Sequence, residues 1–248
     1  MNKDNNKRKI DGELLGTYIN PKTDFGFHRV FSNPDMMKSF LNEVLSDENE
    51  IGHITSLTYL PTDDFGGVIE DEVIFDIHCL TSKGEEMVVE LQNANVEIIN
   101  YENKLLFCWS YLMQNNASPR KRKIKNKEQA VYIVAIVNFP MLKSAASKNI
   151  VIERIQLMSP KTSLLLPYSN SLNFVIVDLT KFKKKASNLK TPQDYWLFTL
   201  KHAETLKTRP EKIQDELFID LYDNILPTSK LTEKEIKEYN NSVNDMTQ

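Results

Sequence analysis

The chain has 248 residues, 41% of them hydrophobic and 26% charged, and a net charge of −3. It is long enough to bury a sizeable core, and its charge excludes a polycation, so a nucleic-acid surface must be a local patch. Two cysteines make no disulfide framework, no apolar run reaches the ~20 residues of a membrane span, and the first residues lack a signal-peptide core; a soluble cytoplasmic protein is expected.

Residues 1 to about 18 are polar and read as a flexible N-terminal segment. The stretch "PKTDFGFHRVFSNPDMMKSFLNEVLS" has helical apolar spacing through Phe27, Val30, Phe31, Met37, Phe40, Leu41 and Val44, with Asn33 as a cap before Pro34. "HITSLTYLP" alternates and predicts a strand near 53–60, and "TDDFGGVIED" predicts a loop. Strands at about 72–80 and 85–92 flank the turn-forming "TSKGEE" and make a hairpin. "EIINYENKLLFCWSYLMQNN" predicts a helix. "AVYIVAIVNFP" is a continuous apolar run of the kind buried inside a sheet, and "IVIERIQLM" and "LNFVIVDL" are further strands. From Thr191 the pattern is helical: "TPQDYWLFTLKHAETL" opens with a Thr cap and Pro, and "TEKEIKEY" has capping-box spacing from Thr232 to Glu235. The expectation is an α/β fold with a mixed sheet, divided into the flexible segment 1–18, a core over 19–186 and a helical C-terminal segment over 187–248.

The hairpin carries the chemistry. If its turn takes the three residues Ser82 to Gly84, Asp76 lies opposite Glu90, and Gln92 shares their face. Two facing carboxylates repel unless a cation lies between them. Mg²⁺ takes one or two carboxylates and keeps waters for a substrate phosphate, and the backbone carbonyl of Leu91 offers a further oxygen. Gln92 can orient a water or a phosphate oxygen but brings no charge. The competing reading is an edge hairpin whose Asp76, Glu90 and Gln92 face solvent.

"FDIHC…G…VVELQ", set between a strand and a following helix, resembles the PD-(D/E)XK nuclease superfamily. With "PKTDFGFHRVF", "AVYIVAIVNFP" and "TPQDYWLFTLKHAETL" in order, the chain resembles the bacterial Rpn-like recombination-promoting nuclease/transposase family from about Pro21 to Tyr239. The resemblance implies a restriction-endonuclease-like core and a metal-dependent DNA phosphodiesterase using Mg²⁺ or Mn²⁺. Asp76 matches the motif Asp and Glu90 the second acidic residue, while Gln92 stands where the superfamily has Lys and where the narrower family has Gln. Asp24 matches the acidic residue of the opening motif, and Glu43 is a further acidic candidate; a helix cap or solvated surface is the alternative for both. Lys104 stands where the family often has Arg, Phe107 and Cys108 replace paired tyrosines, and Glu72 replaces a basic residue. These departures leave room for a weakened enzyme.

Arg120, Lys121, Arg122 and Lys123 open a basic loop that, with Lys104, is a candidate DNA contact. "KFKKKASNLK" is a second basic concentration, for which a solvated helix face is the blander reading. His78, two residues from Asp76, reads as a partly exposed strand residue. Two hypotheses follow: a metal-dependent DNA endonuclease acting in recombination of mobile DNA, a homodimer if it makes paired cuts, or a DNA-binding or assembly protein on the same fold that no longer cuts.

Overall fold

The computed structural model describes residues 9–10, 13–14, 16–46, 52–60, 76–93, 98–116, 130–164 and 172–247. Their contacts divide the chain into two compact units, Met1–Glu43 with Phe182–Gln248, and Val44–Lys181. The expected loop "TDDFGGVIED", the start of the strand expected at 72–80 with Glu72, and the basic segment with Arg120, Lys121, Arg122 and Lys123 lie outside the described residues.

The helical unit begins with a two-residue ladder, β1 (Lys9–Ile10) with β2 (Glu13–Leu14), and then α1 (Asp24–Phe31) and α2 (Pro34–Val44). Thr23 caps α1 by accepting from the Gly26 amide, and Asn33 accepts from the Asp35 amide at 2.9 Å ahead of Pro34. The caps satisfy amides that have no partner inside a first turn. The unit's later helices are α4 (Pro192–His202), α5 (Glu216–Asp220) and α6 (Glu233–Thr247), α3 (Ile98–Asn116) belonging to the other unit. The capping box forms as spaced: the Thr232 amide donates to Glu235 at 2.7 Å, and the Glu235 amide donates to the Thr232 hydroxyl at 3.3 Å. Trp196, fully buried, gathers Phe31, Phe40 and Phe218 at ring distances of 5.5, 5.9 and 4.9 Å, and its indole donates to Ser39.

The sheet unit holds six strands: β3 (Leu57–Tyr59), β4 (Ile77–Thr81), β5 (Glu86–Gln92), β6 (Val131–Val137), β7 (Ile152–Ile155) and β8 (Leu172–Asp178). Their order is β3-β4-β5-β6-β8-β7. β5, β6 and β8 are parallel, and the outer strands are antiparallel to their neighbours. Parallel neighbours need a crossover, and α3 (Ile98–Asn116) supplies the one between β5 and β6. Every residue of β6 is buried, as a continuous apolar run in a central strand requires. Tyr101, Leu105, Cys108 and Leu112 of α3 pack on Val88, Val131, Ile133, Ala135 and Val137 of one sheet face. The mixed α/β sheet is therefore as expected.

Candidate active site

The turn of the β4–β5 hairpin fixes the site. Gly84 has φ +91°, a left-handed conformation that a side chain would strain. The Gly84 amide donates to the Thr81 carbonyl, and the Thr81 amide to the Glu85 carbonyl, both at 2.9 Å, which closes a three-residue turn over Ser82–Gly84. The register that follows pairs Ile77 with Val89 and His78 with Val88, so Asp76, just ahead of β4, stands opposite Glu90.

Each carboxylate is held by the other strand. The Asp76 amide donates to Glu90 Oε1 at 3.2 Å, and the Leu91 amide donates to Asp76 Oδ2 at 2.7 Å. The remaining oxygens turn toward α3, where the Lys104 ammonium is in direct contact with Glu90 Oε2 and 4.0 Å from Asp76 Oδ1. Glu90 has no exposed surface, and its register neighbour on β6 is Ala135, whose small side chain leaves it room.

Burial, then the Asp76 charge, raises the Glu90 carboxyl from 4.5 to about 7, against the opposing pull of Lys104. Burial draws the Lys104 ammonium down, but Glu90 and Asp76 outweigh it and hold Lys104 above its usual value. Tyr101, one turn before Lys104, is 1% exposed; burial and then the two carboxylates push its phenol well above the ordinary range. Its hydroxyl has no hydrogen-bond partner among the described residues.

The sequence-predicted residues divide as follows. Asp76, Glu90 and Lys104 come together. Gln92 is on the same face of β5, half-buried, and its amide donates to the Asn93 carbonyl at 3.3 Å. The Gln92 carbonyl accepts from Asn138 on the β6 side, so by the alternation of a strand's carbonyls that of Leu91 points toward β4. Asp24 and Glu43 belong to the helical unit. Asp24 is an exposed first-turn residue 3.5 Å from His28, whose hydrogen bond holds its carboxyl below the usual range. Glu43 is half-buried on α2, with burial raising its carboxyl, and its backbone carbonyl accepts from Gln193 at 2.8 Å. His78 is buried, not partly exposed, because Glu86 Oε1 lies 2.7 Å from its Nε2 and compensates its polar ring. Lys183, Lys184 and Lys185 lie on an irregular segment rather than a helix face.

Sequence reasoning placed Tyr101 in the core stripe, where the structure has it, but did not see Lys104 as the partner of the two carboxylates. The helical period held the signal: Lys104 is three residues after Tyr101 and four before Cys108, both in the buried stripe.

A family model described as PD-(D/E)XK nuclease family transposase matches residues 21–247. The chain belongs to that family. No curated protein and no solved structure matches it. The match spans Asp76 and Glu90, and among the described residues no group of three or more His, Cys, Asp or Glu side chains that could hold a metal ion is gathered. What the pair already holds tests whether it suits a divalent ion. Two carboxylates from neighbouring strands direct their outer oxygens at one cation, the Lys104 ammonium, and the Leu91 carbonyl points toward the β4 side, where Asp76 stands. That donor set of two carboxylates and a carbonyl is of the hard-oxygen kind that Mg²⁺ or Mn²⁺ prefers. No described helix is long and apolar enough to cross a membrane.

Proposed function

We propose that the chain is a metal-dependent DNA endonuclease that hydrolyses phosphodiester bonds and serves recombination of mobile DNA. The observation that carries this reading is the convergence of Asp76 and the fully buried Glu90 on a single cation. A buried carboxylate beside another is costly unless positive charge is supplied, so an arrangement that binds a cation explains why both are there.

Asp76, Glu90 and the Leu91 carbonyl would hold Mg²⁺ or Mn²⁺, which when bound activates a water and polarises the phosphoryl group. The backbone amides of Asp76 and Leu91 fix the two carboxylates through one oxygen each and leave the other oxygens for the ion. Gln92, on the same face, orients the attacking water or a phosphate oxygen. In the hydrolysis, water adds to phosphorus, the bond to the leaving sugar oxygen breaks, and a proton goes to that oxygen. Lys104, about a third exposed and no longer needed between the carboxylates once an ion is bound, offsets phosphoryl charge that Gln92 cannot. An ammonium does so without the bidentate fork of an Arg.

A second reading has its own support: Lys104 already neutralises Glu90, as befits a site that binds DNA without cutting it. Supercoiled plasmid incubated with Mg²⁺, Mn²⁺, Ca²⁺ or EDTA separates the two, with Asp76→Ala and Glu90→Ala proteins run alongside. Nicking that requires Mg²⁺ or Mn²⁺ and disappears in both variants is expected, and a linear product would point to paired cuts by two copies. No cutting with any ion, or cutting that survives both substitutions, would leave the non-cutting reading in its place.

A further inference from the structure

Away from the hairpin, the helical unit contains a cavity of about 420 Å³ between the segment 182–186 and the C-terminal end of α4. Its floor is apolar: Phe182 and Phe198 are nearly buried, and the Phe198 ring lies against the His202 ring with centroids 4.9 Å apart. Its rim is cationic. Lys183, Lys184, Lys185 and Lys201 line it together with His202, and no carboxylate does.

Lys201 and Lys184 are held in place. The Lys201 ammonium donates to the Phe182 carbonyl at 2.8 Å, and Lys184 pairs with the buried Asp194 at 2.6 Å. Lys183 and Lys185 project as exposed side chains. His202 is half-buried; burial, then the ammonium groups of Lys201 and Lys22, hold it below its usual value against Glu204, so the field at the ring is positive. A cationic rim over an apolar, partly aromatic floor complements a ligand that is anionic along one side and planar and apolar on the other. A nucleotide within a single strand has that character. A duplex offers only its sugar-phosphate exterior and leaves such a floor uncovered.

We propose that this cavity binds single-stranded DNA, with backbone phosphates on Lys183, Lys185 and Lys201 and one base against the His202 ring. The site is a second contact for the polymer on which the reading above has the hairpin act, and it rests on that reading only for the choice of DNA.

Fluorescence anisotropy of the full-length protein with a labelled oligothymidylate, in EDTA and across a salt series, tests it without cleavage. Lys183→Glu with Lys185→Glu should weaken binding at least tenfold near physiological salt. It should also flatten the plot of log K against log salt by about 1.4, at about 0.7 per lost phosphate contact. His202→Ala should weaken binding severalfold and leave the slope unchanged, as loss of a stacking partner does. The exposed pair Lys234→Glu with Lys237→Glu makes the same change of charge on α6 and should leave both quantities near wild type. Equal losses in the two double variants, or an unlabelled duplex competing as well as the single strand, would overturn the assignment. The assay contains EDTA and reads binding alone, so failure of the nuclease reading, seen as no plasmid cutting, and failure of this site, seen as unchanged binding by the Lys183/Lys185 variant, give different results.

Discussion

Replacing Glu90 with Gln should remove a loss of stability that the wild type undergoes as pH rises. In the wild type, burial and Asp76 lift the carboxyl from 4.5 to about 7, so between those values the folded chain keeps a proton that the unfolded chain has released. Stability therefore falls as pH rises through that window, and the loss is complete above about pH 7. A displacement of that size corresponds to about 3 kcal/mol. Gln cannot ionise, so this dependence disappears in Glu90→Gln, whatever constant offset the substitution adds by leaving Lys104 with Asp76 alone. Lys104→Met should act in the opposite sense. Without the ammonium the Glu90 carboxyl rises further, and the decline continues to higher pH than in the wild type. Urea unfolding in EDTA, from about pH 4.5 to 8, gives the free energy at each step. The difference between Glu90→Gln and wild type should grow in the variant's favour by about 3 kcal/mol over that range. Parallel curves for the two proteins would refute the argument, because they would mean that Glu90 titrates alike in the folded and unfolded chains.

Two further outcomes concern the helical unit. The buried Lys22 ammonium reaches Glu204 at 2.9 Å and the carbonyl of Lys201, at the end of α4, at 3.1 Å. Lys22→Met should cost about 2–3 kcal/mol in urea unfolding, since it removes charge-assisted bonds and a cation at a helix C-terminus. Gly26→Ala should cost at least as much, because the added Cβ would fall inside the Asn20 backbone carbonyl and crowd the Thr23 hydroxyl that caps α1. A melting temperature close to wild type would contradict this.

The hairpin register was legible because it depends on local chemistry. A glycine that tolerates positive φ sets a three-residue turn, and the two-residue strand period then carries the pairing to Asp76 and Glu90. The caps at Thr23, Asn33 and Thr232 rest on equally local signals, though the sequence reading named only the last two. The buried run 131–137 was also readable, since only a strand covered on both faces tolerates seven apolar residues in succession. The partner of Glu90 was harder to see. Whether Lys104 meets the carboxylates or the solvent depends on how α3 is rotated over the sheet, and that rotation is set by packing among residues far apart in sequence. His78 misled for a related reason. A strand histidine appears exposed until the carboxylate that compensates it, Glu86 on the neighbouring strand, is placed beside it. Chain order also gives no hint that the first two helices share a core with Trp196 and Phe218.

That shared core has a consequence for the order in which a newly made chain can complete itself. Phe27, Phe31 and Phe40 leave the ribosome early, but the residues that cover them come only after the whole of Val44–Lys181 has been translated, a wait on the order of ten seconds. The sheet unit, continuous in sequence, can close in the meantime. A nascent chain thus has its hairpin assembled while its opening helices still expose aromatic surface, the stage at which a chaperone would be most useful. A chain stopped short of Phe182 would remain in that state.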